Sequence, residues 1–266
     1  MRPVLAPWSS RFHGPGMEEG PDAVLTALGH DAADRVPFAL EAPVEQALRD
    51  GLPRLAAALA DSHDAVPLAL LGECTLAPGA VGGLQRRHGS LAVLWLDAHG
   101  DLNTPQTSSS GFIGGMPFAV LVGWTFPDLA VAAGLAPVAE ERCVLIGARD
   151  LDPPEAEALE RSAIRRTASV REALAALPAD VRIYLHVDGD VMDPGDAPNV
   201  DFPAEGGWSA ERLRGEVATA LDDGRVVGVG VCCGNPRRDV EGRGTAALAT
   251  ALRPLLAPGP GPAQRV

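Results

Sequence analysis

The stretch LAVLWLDAHGD (residues 91–101) decides the fold. Six apolar residues in succession, with no polar alternation, predict a short strand covered on both faces, as in a parallel sheet. The run ends in Asp97-Ala98-His99-Gly100-Asp101. Extended backbone puts residues two apart on one side, so Asp97, His99 and Asp101 can converge on a point. Four more runs read the same way: VPLALLG (66–72), CVLIG (143–147), VRIYLHVD (181–188) and VVGVGVCC (226–233). Helical patterns separate them. Val44, Leu48, Leu52, Leu55 and Leu59 recur at helical spacing. Ser169 and Glu172 form a capping box before an apolar run. Ser209 can cap a helix striped by Leu213, Val217 and Leu221, and a last helix is expected over 244–256. Strands alternating with helices imply an α/β fold: a mainly parallel sheet with helices on both sides. With no internal repeat or long linker, residues 1–266 read as one domain, and the tail APGPGPAQRV (257–266) as frayed.

Composition narrows the function. A 266-residue chain that is 46% hydrophobic and 21% charged can bury a sizeable core. Thirty-five acidic residues against 22 basic give a net charge of −13, which disfavours nucleic acid or an anionic membrane as partner. Cys74, Cys143, Cys232 and Cys233 are too few and too irregularly spaced for a disulfide scaffold. No apolar stretch reaches the ~18–20 residues that span a bilayer. A soluble, reduced, cytoplasmic protein is expected.

In open α/β sheets, ligands bind beyond the carboxyl ends of the strands. A second cluster, Asp188-Gly189-Asp190 with Asp193 beyond, follows VRIYLHVD. Either cluster alone is compatible with solvated turn aspartates and a helix cap. Together they would bring four carboxylates and one imidazole to a buried edge, where uncompensated charge is strongly repulsive. Divalent cations remove that repulsion. Oxygen-rich ligation with one imidazole favours Mn²⁺ over zinc, and enough carboxylates are present to bridge two ions ~3.5–4 Å apart.

DAHGDLNTPQTSSSG (97–111), GGMP (114–117), DGDVMDP (188–194), GGW (206–208) and NP (235–236) resemble signature segments of the arginase/agmatinase, or ureohydrolase, family. GPGMEEGP (14–21) and LGECT (71–75) match two more, so the similarity runs in order over most of the chain. The resemblance implies a three-layer arginase-like domain with a central, mostly parallel, eight-stranded sheet, a centre of two Mn²⁺ and hydrolysis of a guanidine. It assigns Asp97, His99, Asp101, Asp188 and Asp190 as metal ligands. The family's sixth ligand is a histidine. Cys74 stands in its place, either as a core residue or as a coordinating thiolate, the reading preferred here. Asp101 and Asp190 are candidate catalytic groups. Glu73 is a third, or else a residue that orients Cys74.

Other departures surround the reacting group. Gly114 occupies the place of the arginase proton-shuttle histidine. Cys233 occupies that of the glutamate facing the guanidinium, and Phe202 that of a neighbouring threonine. At the other end, Asn103 and Ser110 match residues that grip an α-carboxylate, although Phe112 replaces a further asparagine. Asp152 and Glu155 match the acidic pair that meets the α-amino group, with a helix cap as the alternative for Asp152. A small-molecule substrate resembling arginine is therefore expected. Burying a permanent guanidinium without a countercharge is costly. N-hydroxylation lowers the basicity of a guanidine, so a cavity with Cys233 in place of a carboxylate points to a neutral substrate. Within the family this pattern is similar to the branch that hydrolyses Nω-hydroxy-L-arginine to hydroxyurea and L-ornithine in D-cycloserine biosynthesis. The rivals are an ordinary guanidino-acid ureohydrolase and a metal-binding pseudoenzyme. Cys143 and Cys232 read as core residues and His186, on the strand face of Asp188, as a neighbour of the ligands; the other unmatched histidines, among them His13 and His88, read as surface or loop residues. A monomer is expected.

Overall fold

The computed structural model describes residues 1–12 and 14–256; His13 and the tail 257–266, read above as frayed, lie outside the described residues. Eight strands form one sheet: β1 (Val4–Ala6), β2 (Asp34–Arg35), β3 (Leu68–Leu71), β4 (Leu91–Leu96), β5 (Cys143–Ile146), β6 (Arg165–Thr167), β7 (Arg182–Asp188) and β8 (Val226–Cys232). Their order is β2-β1-β3-β8-β7-β4-β5-β6, and every pairing is parallel. The five apolar runs form strands β3, β4, β5, β7 and β8. The chain leaves a gap between β3 and β4 and fills it last with β7 and β8, so the four longest apolar runs lie side by side at the centre.

Both faces of this sheet are apolar. On β4, Leu91, Val93 and Trp95 belong to one buried cluster, and Ala92, Leu94 and Leu96 to a second. Helices α1 (Gly20–Ala27), α2 (Val44–Ala60), α3 (Ala77–His88), α4 (Pro117–Leu121), α5 (Pro127–Ala133), α6 (Pro153–Arg161), α7 (Val170–Ala176), α8 (Ala210–Asp222) and α9 (Arg243–Leu252) supply the other halves of these clusters. The first cluster packs under α2–α5. The second packs under α1 and α7–α9, which gives three layers.

Local chemistry explains the helix boundaries. The α2 stripe is buried at Leu48, Leu52, Leu55 and Leu59. Helix α3 carries Gly79, Gly82 and Gly83 because its first two turns are wedged between neighbours; a Cβ on Gly83 would overlap the Ala56 carbonyl of α2. Ser169 accepts the Glu172 N–H at 3.3 Å, while the Glu172 carboxylate turns back to the Ala168 N–H, one residue before the box geometry expected. Ser209 accepts from the Arg212 N–H at 3.1 Å and opens α8. The last helix is α-helical over Arg243–Leu252 and tightens to a 3-10 turn over Arg253–Leu256.

Candidate metal centre

Because β3, β8, β7 and β4 are neighbours, the segments leaving their carboxyl ends meet above the middle of the sheet. β3 delivers Glu73 and Cys74, β8 delivers Cys232 and Cys233, β7 delivers Asp188 and Asp190, and β4 delivers Asp97, His99 and Asp101. A cavity of about 310 Å³ opens there. Its walls contain every residue read from the sequence as a metal ligand, catalytic group or substrate contact: Glu73, Cys74, Asp97, His99, Asp101, Asn103, Ser110, Asp152, Glu155, Asp188, Asp190 and Cys233. Acidic Asp150 and Asp201 line it too, and among the described residues no lysine or arginine does.

On the β4/β7 side, His99 Nδ1 lies 3.1 Å from Asp190 Oδ2 and 3.5 Å from Asp97 Oδ1. These are spacings of donors that share one cation, since six ligands at ~2.1 Å sit about 3 Å apart. Each carboxylate is fixed by its second oxygen or its neighbours: Trp95 Nε1 donates to Asp97 Oδ2 at 3.0 Å and the Ala98 N–H to Asp190 Oδ1 at 3.1 Å. Asp101 completes the group from a left-handed backbone conformation, φ 53°. Its Oδ2 is buried without a hydrogen-bond partner. Left-handed backbone is costly for aspartate and an orphaned buried oxygen more so, and a cation at that oxygen would relieve the second cost.

The electrostatics point the same way. Burial, together with the charge of Asp190, pushes Asp97 up to about 7. Burial likewise pushes Asp101 and Asp188 well above the usual carboxylate range. Although burial works against its charge, Asp190 and Asp97 push His99 up to about 12. Asp190 is held low against its own burial by His99. Protons and one imidazolium thus balance a group of carboxylates too close to ionise together. Divalent cations balance it better.

On the β3/β8 side the chemistry is sulfur-rich. The Cys74 thiol donates to Asp188 Oδ2 at 2.8 Å, and its sulfur lies 3.4 Å from Cys233 and 3.5 Å from Cys232. Burial pushes the Cys74 and Cys232 thiols up, whereas hydrogen bonds from those two hold Cys233 down at about 5 against its burial. Cys232, read from the sequence as a core residue, is buried, but its sulfur also faces the centre. His186 lies behind it, Nε2 3.4 Å from Cys232, with its ring stacked on Trp95 at 3.5 Å and its Nδ1 3.2 Å from the Tyr184 hydroxyl. Burial pushes His186 down to about 3, so the imidazole is neutral.

Several residues have fixed local duties. Glu73 accepts from the Ser10 N–H (2.8 Å), the Ser10 hydroxyl (2.9 Å) and the Thr75 hydroxyl (2.5 Å), tying the N-terminal segment to the end of β3. Glu155 accepts from the Leu102 and Asp152 N–H groups at 2.9 and 3.0 Å. It and Asp152 form the capping box of α6, so the cap alternative for Asp152 holds while the residue still reaches the cavity. The Asn103 amide donates to Asp152 at 2.9 Å. Ser110 is on the exposed rim. Above the centre, Phe12, Phe112 and Phe202 stack in sequence, with ring centroids 4.6 and 5.1 Å apart. A Cβ on Gly114 would overlap the Phe112 ring. Arg149 went unnoticed in the sequence. It donates to the carbonyls of Gly147, Asp190, Val191, Met192, Ala204 and Glu205, clamping the loop that carries Asp190. Cys143 lies inside the apolar core, as expected.

Among known proteins, residues 4–256 match the arginase family. Arginase from Bacillus subtilis (strain 168) is 39% identical over 155 residues, which is 54% of this chain and 52% of that protein. The N(omega)-hydroxy-L-arginine amidinohydrolase of Streptomyces lavendulae is 32% identical over 173 residues, covering 63% of this chain and 60% of that protein. These alignments span about half the length of the arginase relatives. In three dimensions the similarity is near-complete: a crystal structure of arginase from Bacillus subtilis subsp. subtilis str. 168 superposes with TM-score 0.88 at 28% identity, covering 97% of this chain and 98% of that one. With the family matched over nearly its whole length, the strand order and the carboxylate pairs at the strand ends find a common explanation: the chain belongs to the arginase family.

Proposed function

We propose that the protein hydrolyses Nω-hydroxy-L-arginine to hydroxyurea and L-ornithine at a binuclear metal centre. Asp97, His99, Asp101, Asp188, Asp190 and Cys74 would hold the ions. Manganese is the expected metal, because the family is binuclear and typically uses it. The orphaned Asp101 Oδ2 and the 3.1–3.5 Å spacing around His99 fit such a cation. When bound, the pair supplies a nucleophilic hydroxide near neutral pH and stabilises the charge that develops at the reacting carbon.

The observation that carries the substrate assignment is Cys233, a sulfur on the cavity wall where the family resemblance leads one to expect a carboxylate. A guanidinium there would meet one sulfur already engaged by Cys74, in place of a carboxylate that can pair with it through two hydrogen bonds, whereas a neutral N-hydroxyguanidine needs no such partner. The Phe112 and Phe202 rings make this end of the cavity more apolar still. At the far end, Asp152 and the Ser108–Ser110 rim suit an ammonium and a carboxylate. In the reaction the bond between the guanidine carbon and Nδ of the ornithine moiety breaks, water supplies oxygen to the carbon, and a proton passes to the departing amine. Asp101 is the candidate to hold that proton on the carboxylate oxygen left over when Oδ2 meets a cation, whereas both Asp190 oxygens are engaged by Ala98 and His99. Glu73, engaged by Ser10 and Thr75, positions Cys74 from the side. Hydroxyurea production would place the enzyme in antibiotic biosynthesis of the D-cycloserine type.

The 39% identity to an arginase favours a second reading, hydrolysis of L-arginine to urea. Parallel assays decide between them. We expect kcat/KM for Nω-hydroxy-L-arginine to exceed that for L-arginine by about 10–100-fold, equivalent to about 1.4–2.8 kcal/mol. Equal or reversed preference overturns the substrate assignment.

A further inference from the structure

Donor chemistry changes systematically along the sheet. The two strands on one side, β3 and β8, contribute sulfur through Cys74, Cys232 and Cys233. The two on the other, β7 and β4, contribute oxygen and one imidazole. Three thiols and Asp188 present donor atoms that all lie within 4.8 Å of one another, and a second group gathers Asp97, His99 and Asp190, with Cys74, Asp97, His186 and Asp188 forming a third that links the two. We propose that the centre is chemically divided: its β3/β8 side is a sulfur-ligated site for a thiophilic divalent cation of the zinc class, next to an oxygen-and-imidazole site that suits manganese. The inference rests on the binuclear reading above but not on the substrate.

The sulfur geometry supports it. A tetrahedral ion with bonds of ~2.3 Å to sulfur separates two such ligands by about 3.8 Å. The observed S···S distances are 3.4 and 3.5 Å, and Asp188 Oδ2 is 2.8 Å from Cys74 and 3.5 Å from Cys232. Four of the six edges joining these donors are thus at or below the length a tetrahedral ion requires, the Cys74–Asp188 edge most of all, so an ion would need this group to open rather than to gather. Cys233 is aimed inward by a left-handed backbone, φ 64°, a conformation that is costly for a non-glycine residue. Its N–H reaches the Gly72 carbonyl at 3.4 Å, which joins the ends of β3 and β8 and brings the cysteines together. A strained residue that delivers a third sulfur to two others is unexplained by packing alone. Thiolates select zinc-class ions over manganese, which also stands lowest in divalent affinity order.

Titration of the metal-free protein with Co²⁺ alone tests the assignment, read by near-ultraviolet sulfur-to-cobalt charge-transfer absorption. We expect the band to saturate at one equivalent, to survive a roughly hundredfold excess of Mn²⁺, and to disappear with one equivalent of Zn²⁺. Cys233→Ser should lower its intensity by about one third if three thiolates contribute. Cys143→Ala, whose thiol lies outside the cluster, should leave the band unchanged and controls for folding. Cobalt bound without the band, or a band abolished by manganese, overturns the proposal, as does a Cys233→Ser spectrum equal to the parent's. A failed preference for the hydroxylated substrate would leave these spectra untouched, so the two readings fail separately.

Discussion

Gly114 and Phe112 act as one unit. The ring fills the volume that a side chain at 114 would need, so the missing histidine and the added phenylalanine imply each other. Gly114→His alone should therefore destabilise by about 1–3 kcal/mol through overpacking. Combined with Phe112→Asn it should recover most of that loss, giving a coupling well above the additive expectation in thermal melts. At this scale the sequence was legible wherever a motif fixed the spacing, as for Asp97, His99, Asp188 and Asp190. Cys232 is a core residue, as read, but the sequence did not show that its sulfur also meets Cys74 and Asp188. Cys232 sits in register with Asp188 on the adjacent strand, and in parallel pairing register partners share a face. No reading of residues 226–233 in isolation contains that register.

At the scale of elements, uninterrupted apolar runs marked the five strands buried on both faces, whereas β1, β2 and β6 escaped notice. β2 is two exposed charged residues and β6 is Arg-Arg-Thr; they form because an edge offers hydrogen bonds, not because their side chains need cover. Arg149 was missed for a related reason. Its six carbonyl acceptors come from segments more than forty residues downstream and from Gly147 nearby, so nothing local announces the clamp. Arg149→Ala should leave those carbonyls short of donors and cost about 2–4 kcal/mol. It should also weaken metal retention more than a surface arginine substitution such as Arg161→Ala does. Differential scanning calorimetry and metal analysis after dialysis measure the two effects; a variant with normal melting and full metal would show that the loop holds itself.

Over the whole molecule, with its charge of −13, nine carboxylates line one cavity with no lysine or arginine among the described lining residues, so stability must depend on what balances them. Asp97 and Glu73 are both pushed up to about 7, so without metal the native state binds protons that the unfolded chain has released. With more protons on the native state, unfolding free energy falls as pH rises from the ordinary carboxylate range, about 4, to about 7. His99, pushed up to about 12, adds to this fall only above its ordinary value, because below it both states carry the proton. His186, held down to about 3, and Cys233, held down to about 5, oppose it and are outnumbered by the raised carboxylates of Glu73, Asp97, Asp101 and Asp188. The metal-free protein should therefore melt progressively lower between pH 4.5 and 7. Cations reverse the sign, since they need the deprotonated ligands and bind more tightly as pH rises. At a metal concentration about a hundredfold above Kd, binding adds about 2.7 kcal/mol, which raises Tm by roughly 5–10 °C for a chain of this size. Melting temperatures at pH 5 and pH 7, with a chelator and with Mn²⁺, should thus diverge: nearly equal at pH 5, where protons displace the metal, and at pH 7 lower for the chelated protein than at pH 5 but clearly higher for the loaded one. If the chelated protein gains stability towards pH 7, the buried carboxylates are compensated from within the chain, and the charge argument for a metal centre fails.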